Sequence, residues 1–176
     1  MENLTELAKA IKEKNIADTE VARIVNRPAL MGHVGEYIAS NIFDIRLEHS
    51  ATSKAIDGHF NSGSLLGKTV NIKWYAKMER MLDISKGTSP DFYLVMTGPI
   101  ASAASSRGGT RPWLINYVFL FNSAELKAKL KIRNIGVGVA TSVIKQLWNE
   151  AEVYPAQCNH YLVLSSEQKR LIGLFA

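Results

Sequence analysis

The stretch Lys54-Ala55-Ile56-Asp57-Gly58-His59-Phe60, followed by Asn61-Ser62-Gly63-Ser64 and then by Thr69-Val70-Asn71-Ile72-Lys73-Trp74-Tyr75, decides how this chain is read. Side chains alternate across an extended strand, so Ile56, Gly58 and Phe60 share one face and Ala55, Asp57 and His59 the other. In the later segment Val70, Ile72 and Trp74 share a face, while Asn71, Lys73 and Tyr75 point opposite. The residues between are rich in turn formers, which predicts a hairpin centred near Ser64-Leu65. In that register Asp57 falls roughly opposite Ile72–Lys73. Its carboxylate then sits among Asn71, Lys73 and His59, with apolar residues behind.

Immediately upstream, Val34, Ile38 and Ile42 recur at i, i+4 and i+8 and predict a helix from about Gly32 to Phe43, with Glu36 and Ser40 off its buried stripe. The first 30 residues read as two short helices. Leu4, Leu7, Ile11 and Ile16 give the stripe of one, Asp18 caps the second, and Pro28 stops it at Arg27. This pair has the outline of a helix-turn-helix reader, but a helical cap on the core is the simpler reading.

Downstream, the apolar runs Phe92–Thr97 and Trp113–Phe121 predict covered strands. Between them Ala101–Thr110 has the composition of a loop. Helices are expected after Asn122, over Ala140–Glu150 and after Ser165, with a short strand at Tyr161–Leu164. The order gives one mixed α+β domain over residues 1–176: a helical N-terminal part (1–30), a core (31–98), and the remaining sheet with its covering helices (99–176). The sheet is expected to be central, mostly antiparallel and flanked by helices.

Of the 176 residues, 47% are hydrophobic and 21% charged, which excludes extended disorder. The net charge is +5, with 12 Lys/Arg against 11 Asp/Glu in residues 1–90 and 9 against 5 in residues 91–176. A basic excess in one half is compatible with a polyanionic partner. There is no bilayer-length apolar run and no signal-like N-terminus, and the single cysteine, Cys158, has no internal disulfide partner. A cytoplasmic setting away from membranes is the expectation.

The hairpin residues carry a resemblance. Asp57, thirteen intervening residues and Asn71-Ile72-Lys73 resemble the core of the PD-(D/E)-x-K nuclease superfamily, in the variant with Asn in place of the second acid. Glu36 resembles the helical glutamate that many members carry before the hairpin, and the likeness runs from about Gly32 to Thr97. It implies a restriction-endonuclease-like fold and an Mg²⁺-dependent DNA endonuclease of restriction type, Mn²⁺ substituting, acting as a homodimer. Asp57 is then the principal metal ligand, the Ile72 backbone carbonyl the second, and Glu36 a ligand directly or through water. Lys73 orients or deprotonates the attacking water. Two departures stand out: Ile56 replaces the motif's proline, and Asn71 supplies an oxygen but no charge, which weakens metal binding unless Glu36 compensates. His59, Tyr75, Lys77, Arg107 and Arg111 are the expected DNA contacts.

Other patterns read as structural. Pro90-Asp91 with Glu125-Leu126-Lys127 repeats the motif's letters, but Glu125 belongs to a helix start. His33 and His59 lack zinc spacing. Cys158 and His160 are too close in sequence to face each other as a nucleophile pair. Lys127, Lys129, Lys131 and Arg133 form a solvated helix end or a phosphate-contacting patch. Two further functions compete: a DNA-binding or assembly module that keeps this fold without activity, and a small-molecule enzyme, which would need a deep apolar pocket.

Overall fold

The computed structural model describes residues 2–48, 55–100 and 111–176. Its centre is a six-stranded mixed sheet flanked by helices. The strands are β1 (Ile45–Leu47), β2 (Gly58–Phe60), β3 (Thr69–Tyr75), β5 (Phe92–Thr97), β6 (Tyr117–Asn122) and β8 (Glu152–Tyr154), in the order β1-β2-β3-β5-β6-β8. Only β3 and β5 run parallel; every other neighbouring pair is antiparallel. A separate antiparallel pair joins β4 (Met81–Leu82) to β7 (Thr141–Ser142). Among the described residues no helix is long and apolar enough to cross a membrane.

The helix before the hairpin, α2 (Met31–Phe43), buries Val34, Ile38 and Ile42 as the periodicity predicts. It lies on the β3 face formed by Val70, Ile72 and Trp74, in a core shared with Phe60, Leu94 and Met96. Gly35 sets how near it comes: a Cβ there would stand 3.1 Å from Trp74 Cβ. The opposite core contains Tyr93, Val95, Phe119, Phe121 and Trp148. It is covered by α3 (Ser123–Ile132) and α4 (Lys145–Ala151). Asn122 caps α3 through its side chain, and Ser165 with Gln168 completes a capping box on α5 (Ser166–Ile172).

Several expectations need correction. The N-terminus is one helix, α1 (Glu2–Val25), rather than two. No Gly or Pro interrupts it, Asp18 pairs with Lys14 one turn earlier instead of capping, and Asn26 ends it in the left-handed region at φ 54°. Leu4, Leu7, Ile11 and Ile16 are exposed, so that stripe does not cap the core; burial begins at Val21 and Val25. Strand β2 is shorter than its expected span, and Lys54 lies outside the described residues. The strand expected from Trp113 begins only at Tyr117, because Ile115 N–H turns to the Phe175 carbonyl and the Leu114 carbonyl accepts the Trp74 indole N–H. Part of the helix expected from Ala140 is β7.

Tyr161–Leu164 is not a strand; the last sheet position goes to β8. Asn159, 5% exposed, fixes that segment as a loop by accepting the Tyr161 and Leu162 N–H groups while donating to the Leu120 carbonyl.

Candidate active site

The hairpin forms with a short 3-10 turn at Gly63–Leu65, close to its expected centre. Pairing of Gly58 with Val70 fixes its register. Gly58 is required by close approach: a Cβ there would lie 2.6 Å from the Arg46 carbonyl oxygen on β1. One residue before it, Asp57 donates its N–H to Val70 and accepts the Ile72 N–H on Oδ2 at 2.7 Å. The carboxylate therefore lies along the β3 edge where β2 parts from it. In an extended strand the N–H and C=O of one residue leave on the same side, so the Ile72 carbonyl points along this same edge.

Burial pushes the Asp57 carboxyl above its ordinary pKa. The Ile72 N–H opposes the rise, the charge of Glu36 adds to it, and the charges of Lys73 and Arg27 lower it. Two other expected site residues, Glu36 and Lys73, thus lie within electrostatic reach of Asp57, as does a further group that the sequence did not flag. Arg27, in the bend between α1 and α2, donates from Nη1 to Glu36 Oε2. Sequence reading used it only as a helix end. Its partner is nine residues on across a bend, outside any helical spacing.

Asn71 and Lys73 occupy the other face of β3. They line a cleft of about 230 Å³ with Ala55, Asp83, Ser85 and Tyr93 among its walls. Asn71 is 4% exposed, and its Oδ1 has no hydrogen-bond partner among the described residues. A buried amide oxygen left unmatched is costly unless a ligand completes it. Asp83, a carboxylate the sequence reading passed over, accepts the Ala140 N–H. No three His, Cys, Asp or Glu side chains gather as a metal-binding group among the described residues. The available donors are the carboxylates of Glu36 and Asp57 and the Ile72 carbonyl, with the Asn71 amide apart from them in the cleft, whose lining includes neither of those carboxylates. All are hard oxygens of the kind Mg²⁺ or Mn²⁺ prefers.

The other expected residues are placed differently. His59 is not in the Asp57 cluster: its Nδ1 lies 3.0 Å from Glu48 Oε1, a partner on the segment after β1. Tyr75, Lys77 and Arg111 line a small pocket of about 100 Å³ with Glu79 and Met81. The Tyr75 hydroxyl accepts the Asp83 N–H, and burial raises its pKa. Arg107 lies outside the described residues. A larger cavity of about 270 Å³, lined partly by Glu125, Cys158 and His160, lies apart from these groups. Pro90-Asp91 is structural, since Asp91 Oδ2 accepts both the N–H and the hydroxyl of Thr69.

The sequence matches no protein-family model and no curated protein.

Proposed function

We propose that this chain is a metal-dependent DNA endonuclease of the PD-(D/E)-x-K type, restriction-like in setting. The observation that carries the reading is the half-buried Asp57 carboxylate, bonded to the Ile72 N–H within the field of both Glu36 and Lys73. The chain order of helix, hairpin, site-bearing strand and further buried strand also supports it.

Asp57 and the Ile72 carbonyl would hold Mg²⁺ or Mn²⁺, with Glu36 joining directly or through water and Asn71 offering its amide oxygen. A divalent cation supplies two things when bound: neutralisation of charge gathering on the phosphate, and a lower pKa for the attacking water. Lys73, half exposed on the cleft, orients that water and stabilises the developing negative charge. With one such site per chain, cutting both DNA strands calls for a homodimer. In this reading Lys77 and Arg111, which line one small pocket with Tyr75, contact the backbone of the same DNA.

Two observations favour the second reading, a DNA-binding or assembly module without catalysis. Asn71 stands where an acid would add charge, and Glu36 is already paired with Arg27. Plasmid DNA incubated with Mg²⁺ or Mn²⁺ separates the two. The nuclease reading expects cleavage that falls at least about a hundredfold in Lys73→Ala and in Asp57→Ala. Cleavage surviving both substitutions would place the chemistry elsewhere. Salt-sensitive DNA binding without cleavage, across substrates of varied sequence, would favour the second reading.

A further inference from the structure

We propose that Arg27 is the resident counter-cation of this site, seated on Glu36 while no divalent metal is bound and displaced from it when one binds. The inference rests on reading Glu36 and Asp57 as the acids that hold the cation.

Two like charges held near one another at a half-buried site repel, and the arrangement is stable only if a positive group offsets them. Glu36 and Asp57 are such a pair, and Arg27 supplies the offset: its guanidinium bonds Glu36, and its charge also reaches Asp57. The backbone around it is fixed. Asn26 takes the left-handed conformation, and the Pro28 carbonyl accepts the Leu30 N–H at 2.7 Å and lies 3.1 Å from His33 Nδ1. The side chain, by contrast, is 42% exposed, while that of Glu36 is 21% exposed. A pinned bend with a half-exposed long side chain lets the guanidinium leave without moving either helix.

The exchange follows from charge. A guanidinium cannot lose its proton at working pH, so it meets an arriving divalent cation only as a competitor. A metal ion taking Glu36, directly or through its water shell, competes with Arg27 for the carboxylate's charge and repels the guanidinium bonded to Oε2, which drives it off. That leaves a cation beside the bound metal, in position for a phosphate oxygen. Arg27 would thereby weaken metal binding before DNA arrives and assist once phosphate is present, which links metal retention to substrate.

Mn²⁺ titration of the full chain, following free Mn²⁺ by its electron paramagnetic resonance signal, tests this in wild type, Arg27→Gln, Arg27→Lys and Asp57→Asn. The expected result is Mn²⁺ binding roughly fivefold tighter in Arg27→Gln, the scale set by one half-exposed ion pair, with Arg27→Lys between it and wild type. The Arg27 Nη1–H resonance should also lose its exchange protection as Mg²⁺ is added. Wild-type binding that depends on Asp57, but an affinity within twofold in Arg27→Gln or an Arg27 resonance unchanged at saturating Mg²⁺, overturns the inference and leaves the metal-site reading standing. Absence of Mn²⁺ binding in the wild type itself overturns both. If Arg27→Gln melts early, Arg27→Lys and the resonance carry the decision.

Discussion

The two faces of β3 have been built to different ends. On the α2 side it gives Val70, Ile72 and Trp74 to a close-packed core; on the other side it gives Asn71 and Lys73 to an open cleft. Its neighbour β5 makes no such distinction, for all six of its residues are buried. A central strand that forgoes packing on one face loses the transfer free energy of that face and keeps polar groups where water is scarce. The contrast teaches that stability and chemistry are separable along this strand, residue by residue.

The largest expected effect comes from attacking the packed face. Trp74→Ala removes an indole that packs at a tilt against Trp113 and bonds the Leu114 carbonyl, and should destabilise the fold by about 3–5 kcal/mol in urea unfolding. The open face should answer with the opposite sign. Asn71→Leu replaces a buried amide whose oxygen has no partner among the described residues, and should stabilise the free protein by about 1–2 kcal/mol while lowering Mn²⁺ affinity. Destabilisation of the metal-free protein by this change would mean the amide is satisfied without a ligand.

Asp57 lies between the two faces and gives a smaller, pH-dependent effect. Its folded pKa is raised, so the native state binds its proton more tightly than the unfolded chain does. The stability this contributes is present below the unfolded value and is lost as pH rises through the folded one. Asp57→Asn should therefore melt higher than wild type at neutral pH, with the gap closing at pH 3 in thermal scans. A gap independent of pH would show that packing, not charge, separates them. Lys73→Ala should move stability least, by under about 0.5 kcal/mol, although it abolishes cleavage in the reading proposed above.

Much of this contrast could be read before any coordinates. Alternation in Thr69–Tyr75 assigned every side chain of β3 to its face, and the stripe of Val34, Ile38 and Ile42 located α2, because both signals are local periodicities. The caps at Asn122 and Ser165 were equally local. What escaped depends on partners distant in the chain. Arg27 meets Glu36 only because Asn26 and Pro28 redirect the backbone. Asp83 reaches the cleft through a connection with no helix or strand pattern of its own. Tyr161–Leu164 has a strand's composition, yet the Asn159 side chain holds its N–H groups and the edge position falls to β8. The α1 stripe failed for another reason: periodicity announces an apolar face, but not whether anything covers it.

The margins of the main sheet, finally, bear on how copies of this chain can associate. Both outermost strands, β1 and β8, are three residues long, against six or seven for the three strands at the middle. A rim that short offers an incoming backbone few groups to bond before it runs out, so lateral stitching of one sheet onto another is disfavoured. Any two-fold assembly would run through side chains on helices and loops, where specificity can be written, rather than through an exposed ribbon that would accept any extended stranger.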